Sequence, residues 1–275
     1  MYKCVFSDLD RTLLNAEGKM SAYTVETINR LFELGIEFIP SSGRAFNSLP
    51  DQLSVLNGLN YAVTSNGVCV NDFKKRQSIS SSCVPSQTIE TLLKFIKDRN
   101  IYIECFVEGQ GYAAKSYYEN PVTKGGRISY MVEYVRATRK PVDDIWKFAF
   151  DHKDKMEAFD IICDASVAFD FEKELKEKFT DVYITHSENY LIEISNIESG
   201  KHNGMKKACN ILGIDLKDCI AFGDADNDKE MLKEAGLGIA VSNASDACKK
   251  SADKISLWTN NQDAVAKELR EIFGF

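Results

Sequence analysis

The chain has 275 residues, of which 44% are hydrophobic and 27% charged, with a formal net charge of −7; this is the composition of a globular protein. Its length predicts either one large α/β domain or a core with an inserted module. The negative charge argues against a nucleic-acid surface, and the absence of a long apolar run or a signal peptide predicts a cytoplasmic protein without a membrane segment.

A strand, a helix and a second strand are predicted within the first 40 residues. The apolar run from Tyr2 to Ser7 predicts a buried strand, and Ser21 to Leu34 has the N-cap and apolar spacing of an amphipathic helix. Ile36 to Pro40 is the next predicted strand. Such βαβ units build parallel sheets, whose sites lie at the carboxyl ends of the strands.

The middle of the chain is predicted to form a separate α/β module. Before this module, Leu59 to Val70 predicts a strand interrupted by a turn at Asn66-Gly67, and the pattern changes from about Ser82. Helices and strands then follow in mixed order, with helices at Gln87–Asp98 and Phe171–Phe179, and strands at Ile101–Val107, Gly111–Lys115, Trp146–Phe150, Val182–Thr185 and Tyr190–Ile194.

After Ile194 the strand and helix alternation resumes. The predicted elements are a helix at His202–Leu212, a strand at Cys219–Phe222, a helix at Lys229–Ala235, a strand at Gly238–Val241 and a helix at Asp263–Ile272. We therefore predict an α/β protein with a Rossmann-like parallel-sheet core formed by residues 1–81 and 187–275. An α/β cap domain is predicted to be inserted at residues 82–186.

Four polar segments lie at predicted strand ends or helix starts, namely Asp8-Leu9-Asp10-Arg11-Thr12, Ser41-Ser42-Gly43-Arg44, Ser199-Gly200-Lys201 and Gly223 to Asp228. Carboxylates crowded at adjacent strand ends repel one another and require a cation between them. Oxygen ligands without His or Cys suit Mg²⁺, which takes one or two carboxylates together with substrate phosphate. A lysine and a hydroxyl complete a site for phosphoryl transfer.

These segments, in this order, resemble the haloacid dehalogenase (HAD) superfamily of phosphohydrolases over the whole chain. The late insertion is similar to the Cof-type branch with a class II (type IIB) α/β cap. Further similar segments are Val63–Val68, Tyr190–Glu193, Phe222–Asp228 and Val241–Ala244. One departure is Arg11, which stands where the family usually has glycine and so bears on the geometry of that loop.

The resemblance implies catalysis through an aspartyl-phosphate. Asp8 is then the nucleophile, and Asp10 protonates the leaving alcohol and afterwards activates water. Lys201 neutralises charge on the nucleophile and on the transferring phosphoryl group.

The same resemblance implies residues for the phosphate and the metal. Ser42, the Gly43 amide and Asn227 bind phosphoryl oxygens together with Lys201. The Mg²⁺ ligands are Asp8, the backbone carbonyl of Asp10, and Asp224, and Asp228 orients the water shell of the metal. Asp226 is interpreted as a surface residue.

The predicted function is a phosphoric monoester hydrolase for a small phosphorylated metabolite, with sugar phosphates ahead of flavin mononucleotide and pyridoxal phosphate. A catalytically silent phosphometabolite-binding or regulatory protein is the alternative from another class, although such a protein needs no general acid at Asp10. A phosphomutase typically has its cap between the first two segments, and a dehalogenase would lack Asp10 and the need for a metal. The sequence leaves the oligomeric state and the exact metabolite open.

Overall fold

The computed structural model describes residues 2–123, 126–127 and 129–275. The chain divides into two compact units. Unit 1 comprises Met1–Arg44, Leu49–Ser80 and Gly200–Phe275, and unit 2 comprises Ala45–Ser48 and Ser81–Ser199. Within the described residues, every helix is too short or too polar to span a membrane.

The strands, in chain order, are β1 (Cys4–Ser7), β2 (Glu37–Pro40), β3 (Tyr61–Thr64), β4 (Cys69–Asp72), β5 (Gln77–Ser81), β6 (Tyr102–Val107), β7 (Gln110–Ala114), β8 (Val122–Thr123), β9 (Gly126–Arg127), β10 (Arg139–Val142), β11 (Met156–Ile162), β12 (Val182–Glu188), β13 (Leu191–Asn196), β14 (Cys219–Gly223), β15 (Leu237–Ala240) and β16 (Lys254–Ile255). The α-helices are α1 (Ala22–Glu33), α2 (Ser86–Ile96), α3 (Lys115–Glu119), α4 (Ser129–Thr138), α5 (Ile145–Asp151), α6 (Ala165–Lys178), α7 (Lys201–Leu212), α8 (Lys229–Glu234), α9 (Asp246–Ser251) and α10 (Ala264–Phe273).

Unit 1 is built on a parallel sheet with the strand order β16-β15-β14-β1-β2. Strands β1 and β14 are buried along their whole length, as expected for strands covered on both faces. The side chains of successive residues of β1 pack in different hydrophobic clusters. Val5 packs in the cluster that contains Ile28 of α1, and Phe6 packs in the cluster that contains Met205 of α7. The predicted parallel-sheet core, made from both ends of the chain, is confirmed.

A smaller sheet in unit 1 has the order β3-β4-β5. Strands β3 and β4 are antiparallel, with Thr64 paired to Cys69. The connecting turn has positive φ at Ser65 (50°), Asn66 (51°) and Gly67 (86°). The predicted turn at Asn66-Gly67 is therefore present.

Unit 2 contains a mixed sheet with the order β10-β7-β6-β11-β13-β12, in which only the β10–β7 pair is parallel. One face carries the larger core, to which α2, α5 and α6 contribute Leu92, Ala149 and Leu175. A smaller cluster contains Tyr117 of α3 and Val135 of α4. The predicted fold class, a parallel-sheet core with an inserted α/β unit, is confirmed.

One predicted element is wrong. The predicted strand at Trp146–Phe150 is helix α5, whose N-cap Asp144 accepts a hydrogen bond from the Lys147 amide. The apolar run concealed a helical repeat, because Ile145 and Ala149, four residues apart, are the buried positions. The compact units group residues 187–199 with unit 2, in which β13 pairs with both β11 and β12, whereas the predicted core begins again at residue 187.

Candidate active site

Residues from each of the four polar segments meet in unit 1 at one edge of the parallel sheet. Asp8 follows β1, Ser42 lies just beyond β2, and Asp224 follows β14, and these three strands are adjacent. Parallel strands present their carboxyl ends at the same edge. Lys201, the first residue of α7, contacts Asp8 of this group, which lies 193 residues away along the chain.

Lys201 lies between two carboxylates. Its Nζ donates to Asp8 Oδ1 at 2.6 Å and to Asp228 Oδ1 at 2.7 Å, and all three side chains are buried. Burial alone would lower the pKa of Lys201, but the charges of Asp228 and Asp8 outweigh it and hold the pKa above its ordinary value. Lys201 therefore remains a cation in contact with the predicted nucleophile.

Three buried acids share this region, because ligand oxygens of Asp8, Asp224 and Asp228 all lie within 4.8 Å of one another. Burial raises the pKa of Asp8 well above its usual range; Lys201 opposes this shift, and the charges of Asp228 and Asp224 add to it. Burial, followed by the charge of Asp228, raises the pKa of Asp224 to about 6. One lysine does not neutralise three carboxylates, so the donor set fits a hard divalent cation.

The neighbours of Asp224 and Asp228 give the two acids different capacities for a ligand. Asp228 Oδ1 accepts from Lys201, and its Oδ2 accepts from the backbone amides of Asp224 and Ala225 at 3.0 Å each. Asp224 Oδ1 accepts from Thr12 Oγ1 at 3.0 Å, while Arg11 Nε is 3.7 Å from its Oδ2. Asp228 therefore has both oxygens engaged by strong donors, and Asp224 is the better placed of the two for direct coordination.

Asp10 differs from these acids, because half of its side chain is exposed. Arg44 binds it with two hydrogen bonds, Nε to Oδ2 at 2.8 Å and Nη2 to Oδ1 at 2.7 Å. The next residue, Arg11, has a left-handed backbone with φ 63°, and its carbonyl accepts from Asn243 Nδ2 at 2.9 Å. The left-handed conformation is the physical reason why glycine suits this position, and Arg11 adopts it nonetheless.

Ser42 and Gly43 form the turn after β2. The Ser42 side chain is buried, and its Oγ accepts from the Arg44 amide at 3.1 Å, so its hydroxyl hydrogen is left to donate to a ligand. Gly43 lies against Asn66: a Cβ at position 43 would be 3.1 Å from Asn66 Oδ1. The absence of a side chain thus permits this approach.

Asn227 lies in the short turn before α8, and Asn66 holds its amide. Asn227 Nδ2 donates to Asn66 Oδ1 at 3.0 Å, which leaves the second Nδ2 hydrogen for another acceptor. Asn227 Oδ1 is buried and has no hydrogen-bond partner among the described residues. Asp226 is more exposed than its neighbours Asp224 and Asp228, and it contacts Ser245 and Lys229.

Sequence reasoning gave no role to three residues that contact this group. Thr12 and Arg44 lie inside the polar segments identified from sequence. The sequence does not show that Thr12 contacts Asp224 or that Arg44 contacts Asp10. Asn66 lies in a segment that it noted only as a turn and a point of resemblance. The Asn-Gly pair predicts the turn from sequence. The contact of Asn66 with Asn227, 161 residues away, is seen only in the folded structure.

The chain is similar to known proteins over nearly its whole length. A family model described as haloacid dehalogenase-like hydrolase matches residues 5–269. A protein from Buchnera aphidicola subsp. Baizongia pistaciae is 30% identical over 282 residues, covering 99% of each chain. The 5-amino-6-(5-phospho-D-ribitylamino)uracil phosphatase YwtE of Bacillus subtilis is 28% identical, covering 96% of each. The crystal structure of a haloacid dehalogenase-like hydrolase from Bacteroides thetaiotaomicron superposes with a TM-score of 0.84 at 24% identity, over 99% of this chain and 100% of that one.

Proposed function

Since the chain belongs to the haloacid dehalogenase-like hydrolase family, we propose that it is a Mg²⁺-dependent phosphatase that cleaves small phosphate esters through a phosphorylated Asp8. The observation that carries this proposal is the Lys201 ammonium, buried between Asp8 and Asp228 within a cluster of acids. A buried carboxylate held by a lysine at the edge of a parallel sheet is an oriented nucleophile with its charge partly balanced.

In the first half of the reaction, a carboxylate oxygen of Asp8 attacks phosphorus and the bond from phosphorus to the ester oxygen breaks. Asp10 gives its proton to that departing oxygen, so the alcohol leaves neutral and Asp10 becomes a carboxylate. Lys201 and the Ser42 hydroxyl stabilise the charge on the phosphoryl oxygens. The alcohol product then departs, and the phosphoryl group remains on Asp8 as an aspartyl-phosphate.

In the second half, the Asp10 carboxylate takes a proton from a water molecule as that water attacks the same phosphorus atom. The bond between phosphorus and the Asp8 oxygen breaks, inorganic phosphate is released and Asp8 returns to its carboxylate form. The exposure of Asp10 suits this exchange of protons with leaving group and water. Arg44 fixes the plane of the carboxylate that carries it out.

The cofactor assignment rests on the donor set. Asp8, Asp224 and the backbone carbonyl of Asp10 would hold Mg²⁺, with Asp228 orienting them through its contacts with Lys201 and the Asp224 amide. When bound, Mg²⁺ supplies positive charge that offsets the repulsion between the carboxylates and the phosphate.

The proposed substrates are phosphate esters of polyhydroxylated metabolites, with sugar phosphates first. The relative from Bacillus subtilis is named for a phosphate ester on a ribityl chain, which is of this class. Flavin mononucleotide also carries its phosphate on a ribityl chain and remains a candidate, with pyridoxal phosphate behind it. We propose that selection of the organic group belongs to unit 2, the inserted domain.

The experiment is a screen of phosphorylated metabolites together with p-nitrophenyl phosphate, with phosphate release measured with and without Mg²⁺. Wild type should release phosphate only with the metal, and Asp8→Asn should release none while remaining folded. A wild-type protein that binds these esters without releasing phosphate would instead be the silent binding protein.

A further inference from the structure

Asn66 lies among the residues of the proposed phosphate site, although the proposed mechanism gives it no part in making or breaking a bond. Only 5% of its surface is exposed, and it occupies the turn between β3 and β4. Its backbone is left-handed, with φ 51° and ψ 41°. Asn adopts this conformation more readily than most residues, because its short polar side chain bonds locally.

Hydrogen bonds join Asn66 to residues in separate parts of the chain. Its amide donates to the Ser42 carbonyl at 3.1 Å, and its own carbonyl accepts from the Gly200 amide at 2.7 Å. Its side-chain Oδ1 accepts from Asn227 Nδ2 at 3.0 Å. One residue thus contacts the phosphate-binding turn, the residue before Lys201, and Asn227.

Glycines on either side allow these contacts. A Cβ on Gly43 would lie 3.1 Å from Asn66 Oδ1, and a Cβ on Gly67 would lie 2.1 Å from the Gly200 carbonyl oxygen. The latter distance is a severe backbone overlap, so the turn reaches α7 only because residue 67 has no side chain. The close fit fixes where Asn66 lies relative to Gly43 and Gly200.

We propose that Asn66 is a positioning residue for phosphate binding, acting through Asn227 and through the two backbone segments it joins. This inference rests on the proposed function, in which Lys201 and Ser42 bind the phosphoryl oxygens, and it extends the proposal to Asn227, which the sequence predicts as a further phosphate ligand. The Asn66 side chain orients the Asn227 amide so that its second Nδ2 hydrogen is presented to a phosphoryl oxygen. The Asn66 backbone sets the spacing between the Ser42 turn and the start of α7.

The test is a double-mutant cycle between positions 66 and 227, read as the inhibition constant of inorganic phosphate. Asn66→Gly retains the left-handed backbone and both main-chain hydrogen bonds and removes only the side chain. It should weaken phosphate inhibition by about twofold to tenfold, the range for one hydrogen bond. In an Asn227→Ala background the same change should have a much smaller effect, because the hydrogen bond between the two side chains is already gone.

Asn71→Ala is the matched control, since Asn71 is a buried asparagine of the same hairpin whose side chain donates to Thr64 and not to Asn227. It should leave phosphate inhibition unchanged whatever it does to stability. The proposal is overturned if Asn66→Gly leaves phosphate inhibition unchanged, or if its effect and that of Asn227→Ala simply multiply.

A second variant covers the case in which Asn66→Gly does not fold. Asn66→Asp keeps an acceptor for Asn227 and tolerates the same backbone, and a carboxylate accepts more strongly than an amide. Asn227→Ala should then weaken phosphate inhibition more in the Asn66→Asp background than in wild type; an equal effect in both would overturn the proposal. A wild-type protein without phosphatase activity would instead refute the proposed function, which separates the two failures.

Discussion

Arg44 and Asp10 form a bidentate pair, with the guanidinium Nε and Nη2 donating to the two carboxylate oxygens at 2.8 and 2.7 Å. Two parallel bonds fix the plane of a carboxylate, which one bond from a lysine cannot do. Arg44, which has no reacting role in the proposed mechanism, thereby orients the carboxylate that is proposed to exchange protons.

Arg44→Lys should therefore slow turnover of an alkyl phosphate more than that of p-nitrophenyl phosphate. An alkoxide leaving group needs a proton from Asp10, whereas p-nitrophenolate needs little help. We expect kcat for the alkyl ester to fall by about 10- to 100-fold, within the usual range for general acid catalysis. Arg30→Lys, on the exposed face of α1, is the control. Equal losses on both esters would mean that Arg44 does not act through Asp10.

Lys201→Met should destabilise the metal-free protein, because it leaves Asp8 and Asp228 as buried charges without their cation. Breaking a buried pair in this way costs about 3–5 kcal/mol. Lys206→Met is the matched control on the same helix, because its pair with Glu234 is partly exposed and should be worth less than about 1 kcal/mol. Denaturant unfolding in the presence of chelator measures the free energy of unfolding of both variants. Similar losses of stability would contradict the claim that Lys201 balances the charges of the buried acids.

Mg²⁺ should raise the melting temperature of the wild-type protein, and chelation should stop its activity. Asp224→Asn should abolish this stabilisation, because it removes a carboxylate from the proposed metal site. Asp226→Asn should retain it, since Asp226 is partly exposed and contacts Ser245 and Lys229. Ca²⁺ should inhibit, because its larger and looser coordination misplaces the nucleophile. Full activity in excess chelator, or a reversed ranking of the two variants, would remove this metal site from the account.

Much of the fold was predictable because its patterns are local. The βαβ start, the buried strands β1 and β14 and the turn at Asn66 follow from apolar runs, caps and turn residues. Helix α5 is wrongly predicted as a strand, because seven residues are too few for the helical period to stand out in a run of apolar side chains. Strand β11 was not predicted at all, although it is a central strand of unit 2.

The resemblance to the haloacid dehalogenase superfamily, stated from the polar segments alone, is confirmed by the family match over residues 5–269. The sequence is sufficient to predict that Asp8, Ser42 and Asp224 meet, because the three residues follow strands that are adjacent in the sheet. The roles assigned to these residues remain predictions. Pairs such as Arg44 with Asp10, or Asn66 with Asn227, depend on side-chain directions that no spacing encodes.

Unit 2 offers a prediction on pH. Asp160 of β11 is buried beside Glu104 and Glu193 on the neighbouring strands, with Arg139 and Tyr117 close by. Burial, then the charges of Glu193 and Glu104, raises the pKa of Asp160 well above its ordinary value, and Arg139 opposes this only in part.

The folded protein therefore binds the proton of the Asp160 carboxyl group more tightly than the unfolded chain does. The free energy of unfolding falls as the pH rises above the unfolded pKa of about 3.9. The slope is at most about 1.4 kcal/mol per pH unit. Asp160→Asn, which cannot ionise, should melt at a higher temperature than wild type at pH 8, and the difference should shrink toward pH 4. The exposed Asp154→Asn is the control. A difference that is constant with pH would show that folding does not raise the pKa of Asp160.

The most direct test of the account is to trap the covalent intermediate. The Asp10→Asn protein should be mixed with p-nitrophenyl phosphate and Mg²⁺, quenched in acid within the first turnover, and digested for mass spectrometry. Because this variant lacks the base that activates water, it should accumulate one phosphoryl group on the peptide that contains Asp8, and Asp8→Asn should carry none. Steady release of inorganic phosphate by the wild-type enzyme, with no phosphorylated Asp8 at any quench time in either protein, would contradict the mechanism.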